Sequence, residues 1–331
     1  MVCCAASGDT GPSDTGPRDT GPSGAGLRHY GLLHPATSDV AAALAPLVAS
    51  RLATSEPVLA VLPATIIDGL RSRLPAVGLA VDLAGLRTAD SGELCRHPGR
   101  VLGRYRKWIA EMSPDGGPVT IVTAPDLGGG DAHRAMLWLQ VDAVTTVALA
   151  ECDLTLICVY PDDPDTGRAV RGAHPSLLNG AITPSPEHLP AEEFLTRYPL
   201  PPPIELGEPD ITHTIEHPTQ LSALRRSVAA HAAHAGLSPA RCGDVVLAVS
   251  EIASNALEHG TPPAAVSLWT TDTSVICQIT DTGEYAQPLA RLLYSSTNQR
   301  RGRGLLLAHQ LCDQFYLWPH PTTIRLHMDR N

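Results

Sequence analysis

Lysine is nearly missing from this 331-residue sequence; Lys107 is the only one. A Walker A loop needs Gly-Lys-Ser/Thr, and here Arg106 precedes the lone lysine. The strand lysine of the eukaryotic-type protein kinase signature is missing too. Basic residues are outnumbered, 24 Lys and Arg against 34 Asp and Glu, for a formal net charge of −10. That balance argues against direct nucleic-acid binding and against an anionic membrane surface, both of which need excess positive charge. No apolar run reaches the roughly 18 residues that span a bilayer. The N-terminus lacks the hydrophobic core of a signal peptide. These absences point to a cytoplasmic protein. The eight cysteines show no C-x-x-C spacing, and Cys152, Cys158, Cys242, Cys277 and Cys312 lie in or beside apolar stretches, as reduced core thiols do.

What is present divides the chain in four. Residues 1–26 repeat Asp-Thr-Gly-Pro at Asp9 to Pro12, Asp14 to Pro17 and Asp19 to Pro22. A five-residue period with Gly and Pro in every copy forms neither helix nor ladder, so a disordered tail is expected. Residues 27–185 alternate apolar strands with helices. Strands are expected at Glu56 to Leu62, Leu79 to Leu83, Pro118 to Thr123 and Leu154 to Tyr160. Helices are expected at Asp39 to Leu52, Ala64 to Leu74, Pro98 to Met112 and Asp131 to Glu151. That alternation implies a parallel sheet covered on both faces. Ligands of such sheets lie beyond the strand C-terminal ends, which here are marked by Pro63, Thr65, Thr123, Pro125, Asp126 and Tyr160. Residues 186–206 are proline-rich, ending in Pro201-Pro202-Pro203, and read as a semi-rigid linker. Residues 207–331 form the last unit.

Its centre is Leu247 to Gly260, LAVSEIASNALEHG. Val246, Val249, Ala253 and Leu257 share one face of a helical wheel. Glu251 and Asn255 are one turn apart and point the same way, and His259-Gly260 reads as the helix stop. A carboxylate and an amide so placed can hold a hydrated Mg²⁺ and orient a proton acceptor, although any amphipathic helix carries polar pairs at this spacing. A strand from Ser274 to Thr280 runs into Asp281-Thr282-Gly283. A polar loop leads to Arg301-Gly302-Arg303-Gly304, and a helix follows from Leu305 to Cys312.

This order of acidic-amide helix, strand ending in Asp-x-Gly, loop, and Gly-x-Gly opening a helix resembles the ATP-binding domain shared by sensor histidine kinases, type II topoisomerases, Hsp90 and MutL. Within that superfamily, LAVSEIASNALEHG and RGRGLLLAHQLCD are most similar to the anti-sigma factor serine kinases. The resemblance covers roughly 211–328. It implies a Bergerat-type α/β sandwich with a mixed, mostly antiparallel sheet, and ATP with Mg²⁺ as cofactors. It assigns Asp281 to the adenine amine, Gly283 to a close turn past the base, Gly302, Arg303 and Gly304 to the phosphates, Asn255 to Mg²⁺, and Glu251 to accepting a proton from a serine or threonine hydroxyl. It implies a sigma factor or an anti-sigma antagonist as partner, and homodimerisation is in keeping with it. An ATP-binding partner switch without phosphoryl transfer, or a histidine-kinase-like member of a relay, stays open. A self-phosphorylating histidine kinase does not fit, since His217 precedes Pro218 and His231 and His234 read as surface residues.

Residues 27–185 resemble the MEDS sensory domain, itself similar to RecA-like ATPases. The likeness rests on His29-Tyr30, Ser55 to Leu59, Leu156-Cys158-Tyr160-Pro161 and His174-Pro175. With no Gly-rich loop or lysine to cradle phosphates, this unit is expected to sense or dock rather than catalyse.

Overall fold

The computed structural model describes residues 26–35, 39–95, 97–127, 131–285 and 304–330. The Asp-Thr-Gly-Pro repeat lies outside them, as do Gly128 to Gly130.

In the N-terminal part the elements run β1 (Arg28–His34), α1 (Val40–Ala53), β2 (Val58–Leu62), α2 (Ala64–Arg73), β3 (Leu86–Asp90), α3 (Ser91–Leu94), α4 (Pro98–Met112), β4 (Val119–Thr123), α5 (Ala132–Ala148), β5 (Leu154–Pro161), α6 (Pro164–Ala173), β6 (Ser176–Leu178), β7 (Ile182–Pro184) and α7 (Ala191–Arg197). The strands form one sheet in the order β3-β2-β4-β5-β1-β6-β7, parallel except for the β6–β7 pair. Every residue of β2 and β4 is buried, as unbroken runs of VLAVL and VTIVT require when helices cover both faces. One core packs α1 and α2 against the sheet through Leu44, Val48 and Leu70. The other packs α4, α5 and α7 through Tyr105, Trp138 and Phe194. Side chains start the helices: Asp39 accepts from the Ala42 amide, and Asp131 from those of His133 and Arg134.

Two expectations change. Leu79 to Leu83 is not a strand, and Leu79 and Leu83 are each 45% exposed. The Asp82 carboxylate instead caps a 3-10 turn by accepting from the Ala84 amide, and the strand beside β2 comes later, as β3. The stretch expected as a linker contains α7, whose Phe194 is fully buried against α5. Its proline run is docked rather than free. The Pro201 carbonyl accepts from Trp318 Nε1 at 2.6 Å, and Leu200 packs with Leu137, Tyr316 and Trp318.

The C-terminal part runs β8 (Ile211–Ile215), α8 (Leu221–His234), α9 (Pro239–His259), β9 (Ala264–Thr270), β10 (Ser274–Thr280), α10 (Gly304–Leu311), β11 (Gln314–Pro319) and β12 (Thr322–Asp329). The sheet order is β11-β12-β10-β9-β8, and every neighbouring pair is antiparallel. Helices α8, α9 and α10 cover one face. The buried stripe of α9 is Val245, Ala248, Val249, Ile252, Ala253 and Ala256, rotated from the expected one, so Val246 and Leu257 are only partly buried. That rotation leaves Glu251 and Asn255 half-buried at the edge of the helix layer. His231, expected at the surface, is 8% exposed, with Nε2 3.1 Å from Thr270 Oγ1.

The two parts meet at α4 and α10. Arg100 donates from Nε to the Gln310 carbonyl (3.0 Å) and from Nη2 to the Leu311 carbonyl (2.8 Å). These are carbonyls that the last turn of a helix leaves without an internal partner. Arg100 also lies 3.7 Å from Asp313, whose carboxylate takes a second ion pair from Arg241.

Candidate functional site

Helix α9 is 21 residues long, opened by the Ser238 hydroxyl accepting from the Arg241 amide and closed at Gly260. Two turns from its end, Glu251 faces the first residue of α10. A Cβ on Gly304 would stand 2.6 Å from Glu251 Oε2 and 3.4 Å from Asn255 Nδ2. Only a residue without a side chain lets α10 begin so close to this pair. The carboxylate, the amide and the N-terminal end of α10 therefore share one groove. The first amides of a helix lack internal acceptors and carry partial positive charge, so this end suits an anion.

At the C-terminal end of α9 the chain meets Asp281, which leaves β10 and is 4% exposed. Its Oδ1 accepts from the Gly283 amide (2.7 Å) and the Thr261 amide (3.2 Å). Gly260 lies against the other oxygen, where a Cβ would come within 2.8 Å of Oδ2. The turn is fixed further by the Asp281 amide donating to the Thr322 carbonyl and by the Thr322 amide and hydroxyl donating to the Gly283 carbonyl, all at 3.0 Å. One carboxylate oxygen is thus spent on the fold, and Oδ2 accepts no hydrogen bond among the described residues.

Of the seven residues singled out from the sequence, Glu251, Asn255 and Gly304 are brought together, and Asp281 and Gly283 form one turn beside the end of α9. Gly302 and Arg303 lie outside the described residues, as does most of the polar loop that leads to them. The sequence reading missed Gly260 and Thr261. Its cue for them was present, since His259-Gly260 was read as a helix stop, but a stop signal does not say which carboxylate its amides will meet.

The parallel sheet carries a second concavity beyond the C-terminal ends of β2, β4 and β5, with a volume of about 740 Å³. Pro63, Thr65, Pro125 and Asp126 line it, as expected from strand polarity. Thr123 and Tyr160 do not, because both are fully buried. Thr123 Oγ1 lies 3.2 Å from Cys95 Sγ, and Tyr160 donates to the Asp142 carboxylate.

Two family models match the chain. The MEDS model (methanogen/methylotroph, DcmR sensory domain) matches residues 28–175, and the histidine kinase-like ATPase domain matches residues 216–328. No curated protein shows significant similarity to the chain. Among solved structures, the RsbU and RsbW domains of Rv1364c from Mycobacterium tuberculosis match at 20% identity with a TM-score of 0.26. That match covers 36% of this chain and 32% of the other. The two family models fall on the two sheets, the MEDS match on the parallel one and the ATPase match on the antiparallel one. The chain therefore carries a MEDS sensory domain followed by a domain of the histidine kinase-like ATPase family.

Proposed function

We propose that this protein is an ATP-dependent regulator of the anti-sigma type, which phosphorylates a serine or threonine of an antagonist protein or holds a sigma factor. Its C-terminal catalytic unit, 207–331, is governed by the MEDS unit. The observation that carries the reading is the shared groove of Glu251, Asn255 and the start of α10.

The residues fit a bound ATP with Mg²⁺. The space a Cβ would fill at Gly304 is kept open between a carboxylate, an amide and a helix N-terminus. Asp281 offers one unengaged, oriented oxygen to the amine of a purine. Asn255 would hold Mg²⁺, and the ion would supply charge neutralisation at the phosphates. Gly304 opens the helix end that receives phosphate oxygens. Gly302 and Arg303 complete that cradle on the strength of the sequence resemblance. Glu251 receives the proton of the incoming hydroxyl, a role for a carboxylate at the mouth of the phosphate groove.

Control by the sensory unit follows from Arg100. It holds the C-terminal end of α10, the helix whose first residue abuts Glu251. A shift of α4 would be carried along a rigid helix of 8 residues to the phosphate end.

Calorimetry of the full chain with ATP, with and without Mg²⁺, is the test. Binding that depends on Mg²⁺ and is lost in Asp281→Asn supports the reading, and unchanged affinity in that variant overturns the base-recognition assignment. Phosphopeptide analysis of cells carrying the wild type or Glu251→Gln then looks for serine or threonine phosphorylation that only the wild type produces.

A further inference from the structure

Four side chains from distant parts of the sequence meet inside the parallel-sheet unit: His29 on β1, Asp142 on α5, Cys158 on β5, and His174 just after α6. One ligand-type atom from each lies within 4.8 Å of the other three, and none of the four residues is more than 3% exposed. Two of the separations are 3.4 Å, His29 Nε2 to Cys158 Sγ and His174 Nε2 to Asp142 Oδ2. Ligands bound tetrahedrally at the usual zinc distances of about 2.0–2.3 Å stand roughly 3.3–3.7 Å apart. The cluster is therefore close to the size of one coordination shell.

The hydrogen bonds point the same way. His174 Nδ1 is 2.7 Å from the Val170 carbonyl, which only accepts, so that nitrogen carries the proton. Its Nε2 is shielded from water and makes no aligned hydrogen bond, yet it is aimed at a carboxylate. The two face each other across 3.4 Å with no aligned hydrogen bond closing the gap. His29 has its second nitrogen 3.2 Å from Thr146 Oγ1, and Asp142 receives the Tyr160 hydroxyl. Each histidine and the carboxylate thus has an outer partner that fixes its orientation, as metal ligands have. Gly31 leaves the room, since a Cβ there would stand 3.0 Å from the His174 ring.

We propose that His29, Asp142, Cys158 and His174 form a closed binding site for one borderline-soft divalent metal ion, of which Zn²⁺ is the type. Two imidazoles, a thiolate and a carboxylate suit such an ion and exclude Mg²⁺ and Ca²⁺, which take oxygen shells. Four protein ligands and no exposed position make the site structural or sensory rather than catalytic. On binding, the S–H bond is lost as the metal–sulfur bond forms, and the proton leaves to solvent without any change of oxidation state.

The test uses the full chain, stripped with a chelator and titrated with Co²⁺, whose thiolate charge-transfer and visible bands report a sulfur ligand and tetrahedral geometry. Cys3 and Cys4 could also take up metal, so the Cys3→Ser/Cys4→Ser chain is the reference. One Co²⁺ per chain, displaced by one Zn²⁺, is expected there. Cys158→Ser in that background should lose the charge-transfer band and weaken Zn²⁺ by more than the roughly 10- to 100-fold that losing an outer partner costs. No stoichiometric uptake, or a band that survives Cys158→Ser, overturns the site. Should Cys158→Ser fail to fold, X-ray absorption of the Zn²⁺-loaded reference chain decides. One sulfur with three nitrogen or oxygen neighbours supports the site, and a sulfur-free or sulfur-rich shell overturns it.

Discussion

Glu251 Oε2 would lie 2.6 Å from a methyl group placed on Gly304, so the N-terminal end of α10 and the carboxylate of α9 are held in contact range by one missing side chain. In Gly304→Ala, either α10 or Glu251 must move. Overpacking of this kind costs about 1–3 kcal/mol. Chemical denaturation should show that loss, and calorimetry should show ATP affinity reduced about tenfold or more, which is roughly 1.4 kcal/mol.

Asp281→Asn separates fold from recognition. The amide oxygen can still accept from the Gly283 and Thr261 amides, while Oδ2 is replaced by an NH₂ donor that cannot accept from the proposed purine amine. Stability within about 1 kcal/mol of the wild type, with ATP affinity reduced at least tenfold, is the expected pair of results. In Asp281→Ala both backbone amides lose their acceptor, which adds about 2 kcal/mol or more to the loss of stability.

Glu251→Gln should leave ATP affinity within a few-fold of the wild type and lower phosphoryl transfer by roughly 10²–10⁴, the usual contribution of a positioned proton acceptor. Single-turnover transfer measurements read this directly. A chain that only exchanges partners would show no difference between the two forms.

Arg100→Ala removes both hydrogen bonds from α4 to the end of α10, together with the ion pair to Asp313. Amide hydrogen exchange over 304–311 should quicken, because those carbonyls lose the group that ties the helix to its neighbour. ATP affinity should change with it if α10 transmits the position of the sensory unit.

His327 sets a pH dependence. Burial, followed by the Arg325 charge, lowers its pKa to about 4, against 6.5 when unfolded. The unfolded chain therefore takes up this proton first as pH falls, and stability contributed above pH 6.5 is lost between about 6.5 and 4. At pH 5 the cost is about 2 kcal/mol. Urea titrations at pH 7.5 and 5 should show His327→Gln less sensitive to acid than the wild type by about that amount.

The regular helices and buried strands were legible because their apolar spacing and caps are local: α4 was expected at Pro98 to Met112, and β10 at Ser274 to Thr280, where they stand. Proline density hid α6 and α7, since Pro164 and Pro190 punctuate a stretch that reads as loop although Phe194 is fully buried. Leu79 to Leu83 misled because an apolar run says nothing about whether a strand partner is present. At the candidate site, the pairing of Glu251 with Asn255 follows from helical period alone, whereas the backbone amides that hold Asp281 depend on where Gly260 meets β10. His29, Cys158 and His174 drew notice singly. Nothing local relates them to each other or to Asp142, because the topology brings them together over more than a hundred residues.

The sheet order places β1 between β5 and β6, with Arg28 opposite Thr155 and His34 opposite Pro161. Strand β1 therefore cannot be seated until β5 has been made. Until then β2 and β4 can pair with each other while β1 waits outside, and closing so long a loop is slow. In cells the N-terminal unit thus becomes complete late in its own synthesis, and an amino-terminal deletion reaching His34 would remove a central strand of the sheet rather than trim an edge.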